Sequence, residues 1–184
     1  MEKEDFLWDV QQCFRKTRSG SDNSFVLNTV LWKAGALRKK VHLGFVDLKK
    51  VFDKVSQEKL WSRLQQLGFK DSFLGCIQAL YCKNIFVTEF KGVWTLPIFL
   101  GRGLRQGCSL SPMLFAINVS AWGEELMASE EGFKIERLVV SILFFADDIV
   151  LILLSPEEMH RMLAISEKHC KLLRMTISEK KARS

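Results

Sequence analysis

The spacing of apolar residues along the chain predicts a series of helices. In 24–37, Phe25, Leu27, Val30, Leu31 and Ala34 recur at helical spacing. Ser56 has the chemistry of an N-cap and Gly68 that of a helix stop, so a helix is predicted over 57–67. Two further helices are predicted, one over 71–81 with Asp71 as its cap and one over 112–127 with Ser111 as its cap and Pro112 as its first residue. The last predicted helix follows the capping-box sequence Ser155-Pro156-Glu157-Glu158. One side of this helix carries Met159, Met162, Leu163, Ser166, Cys170 and Leu173.

Short apolar runs predict strands between these helices. One strand covers 41–47 and ends at Asp47, and residues 85–98 suit a hairpin that turns at Lys91-Gly92. From 138 to 154 every residue is apolar except Ser141, Asp147 and Asp148. This run is shorter than the roughly 20 residues that a bilayer span needs, so we expect a buried hairpin with the aspartates at its tip and no membrane contact. Strands that come partly as hairpins favour an α+β fold, with an antiparallel or mixed sheet backed by helices.

Composition narrows the class of protein. The chain has 184 residues, 48% of them hydrophobic, which favours one folded domain over disorder. Its net charge of +6 suits a polyanionic partner, although a solvated basic surface explains the charge equally well. The five cysteines form no Cys-x-x-Cys pair and the first residues do not resemble a signal peptide, so we expect reduced thiols in an intracellular protein.

Three aspartates, Asp47, Asp147 and Asp148, are the residues that indicate a chemical function. An ionised carboxylate in an apolar run must be paired, hydrogen-bonded or bound to a metal. If the strand of Asp47 lies beside the hairpin of Asp147 and Asp148, three carboxylates meet at one end of a sheet, which suits two divalent cations. The alternatives are that Asp147-Asp148 is a surface turn or a helix-capping pair, and that Asp47 and Asp53 cap the segments that follow them.

A glycine-containing loop precedes the helix predicted at 112–127. Residues 101–112 include three glycines together with Arg102 and Arg105, but they match neither a Walker A loop nor a dinucleotide fingerprint. Arginines that lead into a helix N-terminus can hold phosphates or a template strand. A plain helix-entry turn is the alternative.

Taken in order, these segments resemble the reverse transcriptases of non-LTR (LINE-like) retrotransposons. Phe45 to Asp53 resembles the first palm motif, Arg105 to Pro112 the motif that positions template and nucleotide, and Phe145-Ala146-Asp147-Asp148 the catalytic hairpin. The resemblance extends to Phe14-Arg15-Lys16-Thr17-Arg18-Ser19 with Asp22 upstream, and to Ile177-Ser178-Glu179-Lys180-Lys181 downstream. It implies an RNA-directed DNA polymerase palm that adds deoxynucleotides to a primer 3′-hydroxyl on an RNA or DNA template.

The resemblance assigns roles to individual residues. Asp47, Asp147 and Asp148 match the catalytic carboxylates that hold two Mg²⁺ or Mn²⁺ ions. Phe52 matches the aromatic residue that excludes a 2′-hydroxyl. Gln106 and Gly107 match the loop near the nascent base pair, and Lys181 a lysine near the triphosphate. The expected contacts with nucleic acid are Arg15, Arg18, Arg102 and Arg105.

The resemblance also has departures and alternatives. Val51, Ser178 and Ala182 stand where alanine, asparagine and threonine are usual. We expect residues 1–40 to be a remnant of the fingers and 41–184 to form the palm, with the rest of the fingers and the thumb missing. The alternatives are a catalytically inactive relic that binds nucleic acid weakly, and another template-dependent polymerase, such as an RNA-dependent RNA polymerase or an intron maturase.

Overall fold

The computed structural model describes residues 20–82, 85–99, 101–145 and 148–177. Helices and strands are interleaved along these ranges, as the sequence predicts. The helices are α1 (Gly20–Ala36), α2 (Val51–Lys54), α3 (Gln57–Gln66), α4 (Asp71–Tyr81), α5 (Ser111–Asn118), α6 (Ser120–Ala128) and α7 (Pro156–Leu173). The strands are β1 (His42–Asp47), β2 (Ile85–Phe86), β3 (Glu89–Phe90), β4 (Val93–Trp94), β5 (Ile98–Phe99), β6 (Phe133–Ile135), β7 (Leu138–Val140), β8 (Ile142–Phe145) and β9 (Asp148–Leu153).

An antiparallel sheet with the strand order β1-β9-β8 lies at the centre of the fold. Side chains alternate between its two faces. On one face, Val46 and Leu151 belong to the main core, which includes side chains from α3 to α7. On the other face, Leu143 and Ile152 pack with Val30 of α1. Because helices cover both faces, β9 is apolar at nearly every position, and the expected α+β fold of an antiparallel sheet backed by helices is confirmed.

Local capping explains where two of the helices begin. The Ser155 hydroxyl accepts a hydrogen bond from the Glu158 backbone N–H at 3.2 Å, and the Glu158 carboxylate accepts one from the Leu154 N–H at 2.8 Å. This reciprocal arrangement is a variant of the capping box and confirms the predicted start of α7. Ser56 caps α3 in the predicted way, although its hydrogen bond to the Lys59 N–H is longer, at 3.5 Å.

The predicted hairpin at 85–98 is confirmed. Strand β2 pairs with β5, and β3 pairs with β4 around the turn at Lys91-Gly92. Both turn residues have positive φ angles, 52° and 78°, as the favoured two-residue hairpin turns require.

Three predictions of the helices are corrected. Lys70, not Asp71, is the N-cap of α4. The segment 112–127 divides at Val119, whose ψ of −1° is far from the helical value of about −42°. Ser111 lies inside α5, whose N-cap is Leu110, and its buried hydroxyl donates to the Arg105 carbonyl oxygen at 2.5 Å instead of capping the helix.

The apolar stripe of α1 is only partly buried. Val30 and Ala34 are buried as predicted, but Phe25 is 72% exposed and Leu31 41% exposed. On α7, Leu163 is likewise 38% exposed, whereas Met162 is fully buried. Periodicity locates these helices but overestimates the width of the face that the sheet covers.

The predicted hairpin at 138–154 contains an additional break. Strand β7 pairs with β6, whereas β8 pairs with β9, and buried Ser141 lies between β7 and β8. Gly132 passes so close to Ser141 that an added Cβ would lie 2.7 Å from its Cα. The apolar run is therefore shared between two separate strand pairs.

A polar cluster joins α6 to α7. The Glu125 carboxylate accepts hydrogen bonds from Lys168 Nζ at 2.7 Å and interacts with His169 Nε2 at 2.8 Å. These two contacts lower the pKa of Glu125, the larger effect coming from Lys168. The Trp122 ring stacks on His169, with the ring centroids 6.3 Å apart.

Among the described helices, none combines the length and apolar character needed to cross a bilayer.

Candidate active site

Asp47 and Asp148 are direct partners in the central sheet. β1 ends at Asp47, β9 begins at Asp148, and the antiparallel register places the two residues opposite one another. The Cα atoms of opposite residues in such a pair are about 4.5–5.5 Å apart, and their side chains project from the same face. Two of the three predicted carboxylates therefore lie together at one end of the sheet, with Asp148 exposed and Asp47 partly buried.

The third predicted carboxylate, Asp147, lies outside the described residues. Its predicted approach to Asp47 therefore stays a prediction. Within the described ranges, no three His, Cys, Asp or Glu side chains come together as a group that could hold a metal ion. The pair formed by Asp47 and Asp148 still offers hard oxygen ligands on one face, the donor chemistry that Mg²⁺ and Mn²⁺ prefer.

A cleft of about 700 Å³ lies between α1 and the sheet, and Asp148 forms part of its wall. At its edge, the Asn23 side-chain amide donates a hydrogen bond from Nδ2 to the Phe144 carbonyl oxygen at 3.0 Å. The Asn23 Oδ1 atom is buried and has no hydrogen-bond partner among the described residues. The start of α1 is thus attached to β8, the strand that leads toward Asp147.

The glycine-containing loop lies against α2, the short helix that follows Asp47. The Leu104 N–H donates to the Phe52 carbonyl oxygen at 2.7 Å, and the Gly103 N–H donates to the Val55 carbonyl oxygen at 2.9 Å. Gly103 has a φ of +88°, and an added Cβ would lie 3.0 Å from the Asp53 carbonyl oxygen. These contacts hold two motifs that are some 50 residues apart in sequence in one fixed arrangement.

Gln106 extends from this loop toward α2. Its side-chain Nε2 donates a hydrogen bond to Asp53 Oδ1 at 3.0 Å. Gly107, the next residue, has a φ of +81°, which glycine adopts without strain. The structure thus places Gln106 beside the end of the motif that contains Asp47.

Phe52 packs against the main core. It occupies α2, five residues after Asp47, and is partly buried. Its ring packs on that of Phe115, with the centroids 5.2 Å apart. The core contact fixes the position of the ring, and its predicted role toward the sugar remains a prediction.

Two of the predicted nucleic-acid contacts, Arg102 and Arg105, lie on the glycine-containing loop. The Arg105 guanidinium lies over the Tyr81 ring, 5.8 Å from its centroid. Arg102 lines a cavity of about 410 Å³ at the start of α3, together with Lys54 and Arg174. Arg15, Arg18 and Lys181, which the sequence also proposes as contacts, lie outside the described residues.

The thiol of Cys108 stands at the end of the same loop. The Leu110 backbone N–H, the strongest influence, lowers the pKa of the Cys108 thiol below its ordinary value, and the partial burial of the thiol opposes that change. Cys170 on α7 is the opposite case, because burial raises the pKa of its thiol to about 11.

Sequence reasoning does not assign two residues that lie beside the site. It suggests Asp53 only as a helix cap, yet the Asp53 carboxylate is the partner of Gln106. Asn23 lies just before the helix that the apolar residues of 24–37 predict. Its hydrogen bond joins it to Phe144, which lies 121 positions later in the sequence. No pattern in the sequence marks either contact, because both depend on the tertiary fold.

The solved structures that resemble this fold include telomerases. The structure of telomerase from Candida tropicalis in complex with a TWJ fragment of telomeric RNA aligns with a TM-score of 0.72 at 14% identity, covering 98% of this chain and 31% of that chain. Telomerase from Candida albicans, in a similar complex, aligns with a TM-score of 0.66 at 17% identity, over 90% of this chain and 31% of that chain. At these identities the likeness shows the fold alone.

Comparison of the sequence with known protein families identifies the family. Residues 2–184 match the family Reverse transcriptase (RNA-dependent DNA polymerase), and the chain belongs to it. The Pol polyprotein of the retrotransposable element R2 from Popillia japonica is 31% identical over 136 residues, 71% of this chain and 19% of that protein. A 149 kDa protein of transposon TX1 from Xenopus laevis is 28% identical over 135 residues, 71% of this chain and 10% of that protein.

These relatives define the branch of the family. The matches are to Pol proteins of non-LTR retrotransposons, so the chain is a reverse transcriptase domain of that type. It spans between about a tenth and a fifth of the length of the TX1 and R2 proteins. Reverse transcriptases generally use divalent metal ions, in agreement with the carboxylate chemistry of the site.

Proposed function

We propose that the chain is the catalytic palm of an RNA-directed DNA polymerase, which joins a deoxynucleoside triphosphate to a primer 3′-hydroxyl. The observation that carries the proposal is the pairing of Asp47 with Asp148 at one end of the central sheet. Two carboxylates placed directly opposite one another repel, and a divalent cation bound between them would relieve that repulsion. Family membership supports the reaction, and the pair supports its location at this end of the sheet.

The carboxylates of Asp47, Asp147 and Asp148 would hold divalent ions, Mg²⁺ or Mn²⁺. Asp47 and Asp148 fit that role because they present oxygen ligands on one face and are fixed by the strand register. When bound, two such ions would assist attack by the primer hydroxyl and stabilise the charge on the leaving pyrophosphate.

The remaining residues of the site would position the substrates. In this proposal, Phe52 discriminates against a 2′-hydroxyl, and its packing on Phe115 holds the ring in a fixed position. Gln106 and Gly107 lie against the nascent base pair, and Lys181 reaches the triphosphate. The docking of residues 103 and 104 on α2 supports this proposal, because it fixes the loop relative to Asp47 before any substrate binds.

The template–primer would bind through its phosphates. We assign Arg15, Arg18, Arg102 and Arg105 to these contacts, supported by the net charge of +6. Each phosphate neutralised on a duplex contributes about −0.9 to the slope of log K against log salt. Replacing Arg102 and Arg105 together by glutamine should therefore reduce the magnitude of that slope by about two.

Primer extension tests the reaction. The chain, an annealed primer and all four deoxynucleotides are incubated with Mg²⁺ or Mn²⁺, with an RNA template in one set and a DNA template in another. The Asp47→Asn and Asp148→Asn variants are the negative controls. Asp71→Asn is the matched control, because Asp71 is an exposed aspartate at the start of α4.

The proposal expects extension on RNA by the wild-type chain and by Asp71→Asn, and a loss of at least about 100-fold in the two site variants. Salt-sensitive binding of nucleic acid without any extension would favour the inactive relic. Incorporation of ribonucleotides in preference to deoxynucleotides would favour an RNA polymerase. Either result would contradict the proposed function.

A further inference from the structure

The hydrogen bond between Gln106 and Asp53 fixes which way the glutamine amide faces. Gln106 Nε2 donates to Asp53 Oδ1 at 3.0 Å. A glutamine amide has one end that donates and one end that accepts, and the two ends are nearly the same size. An ionised carboxylate only accepts hydrogen bonds, so it can pair with the Nε2 end and never with Oε1.

Asp53 itself is held in place by the backbone around it. It belongs to α2, whose carbonyl oxygen at Phe52 accepts the Leu104 N–H at 2.7 Å, and the Gly103 N–H donates to the Val55 carbonyl oxygen just beyond α2. Gln57 on α3 donates from Nε2 to the Gly103 carbonyl oxygen at 3.1 Å. Three hydrogen bonds of the loop backbone thus fix the distance between Asp53 and Gln106 without using either side chain.

We propose that Asp53 is a positioning residue for nucleotide selection: its carboxylate binds the Nε2 end of Gln106 and turns the Oε1 end toward the nucleotide. Gln106 then presents a hydrogen-bond acceptor to a donor group of the incoming nucleotide. The inference rests on the proposed function, since it takes Gln106 to lie in the nucleotide site. It adds a residue that the resemblance left without a role.

The decisive variant is Asp53→Asn, which has almost the same shape. An asparagine can accept from Nε2 or donate to Oε1, so both orientations of the Gln106 amide become available. Asp53→Glu keeps a group that only accepts and should rescue the orientation. Asp71→Asn is the control for an aspartate-to-asparagine change on an exposed helix start.

The first measurement concerns the amide alone. In ¹⁵N NMR spectra of the full chain, the Gln106 side-chain NH₂ pair should show one proton shifted by hydrogen bonding and slow rotation of the amide. Both signatures should weaken in Asp53→Asn, because the two orientations of the amide exchange there, and they should be kept in Asp53→Glu. An unchanged NH₂ pair in Asp53→Asn would overturn the inference, whatever the chain does with nucleotides.

The second measurement is the affinity for the complementary deoxynucleoside triphosphate, using a template–primer whose primer ends without a 3′-hydroxyl so that no turnover occurs. Loss of one oriented hydrogen bond should raise Kd by about threefold to tenfold in Asp53→Asn, with template–primer binding unchanged. Equal Kd values in Asp53→Asn and in wild type would overturn the inference. Absence of nucleotide binding by the wild-type chain would instead contradict the proposed function, and the NMR measurement would still decide the role of Asp53.

Discussion

Asn23 joins α1 to β8, an edge strand of the central sheet, by a hydrogen bond of 3.0 Å from its Nδ2 atom to the Phe144 carbonyl oxygen. Strand β8 pairs with β9 on one side, and Asn23 occupies part of its other side. Since β8 ends two residues before Asp147, this contact supports the strand next to the segment on which the proposed chemistry depends. A side chain thereby satisfies a carbonyl oxygen of the sheet edge.

Replacing Asn23 by alanine should lower the free energy of unfolding by about 1–2 kcal/mol, because the Phe144 carbonyl oxygen loses its partner in a partly buried place. Urea unfolding followed by circular dichroism measures the change. Asn28→Ala is the control, since Asn28 is a residue of the same helix that lines the same cleft. If both variants lose the same stability, the hydrogen bond of Asn23 has no special contribution.

Much of the fold follows from local signals in the sequence. Ser155 and Glu158 cap α7 by contacts within four residues, and Lys91-Gly92 turns its hairpin with two positive φ angles. Such features depend on neighbouring residues and can be predicted from them. The strand end at Asp47 is likewise marked by the change from an apolar run to polar residues.

The remaining features depend on contacts between distant residues. Ser111 looks like an N-cap, but the Arg105 carbonyl oxygen and Tyr81 hydroxyl place its side chain inside the fold. The partner of Gln106 could not be predicted for the same reason, because Asp53 lies 53 positions earlier. At both positions, contacts with residues distant in sequence determine where the side chain lies.

Gly103 should tolerate substitution poorly. Gly103→Ala is expected to reduce the free energy of unfolding by about 1–3 kcal/mol, because its φ of +88° is strained for alanine and the added Cβ would meet the backbone of α2. Thermal unfolding measures the loss.

The matched control substitution should change stability in the opposite direction. Gly75 lies within α4, and an added Cβ would meet nothing within 4 Å. Gly75→Ala should therefore raise stability by about 0.5–1 kcal/mol through helix propensity. Equal effects of the two substitutions would contradict the docking of the loop on α2.

The cysteines should differ in their reaction with iodoacetamide. Only the thiolate reacts, so the lowered pKa of Cys108 should shift the midpoint of its pH profile to a lower pH than that of an ordinary cysteine. Cys170, whose pKa is about 11 and which is buried, should stay unmodified until the protein unfolds.

Mass spectrometry of peptides after timed alkylation gives the order of labelling. Exposed Cys76 and Cys82 act as internal references for access to the reagent. Rapid labelling of Cys170 in the native protein would mean that α7 does not bury it as the structure describes.

Binding of Mn²⁺, followed by electron paramagnetic resonance, tests most directly the claim that Asp47 and Asp148 form one site. Because the two residues are register partners, Asp47→Asn and Asp148→Asn should each weaken the binding of Mn²⁺ by more than about tenfold. Asp71→Asn should bind as the wild-type chain does. Unchanged Mn²⁺ affinity in both site variants would contradict the account.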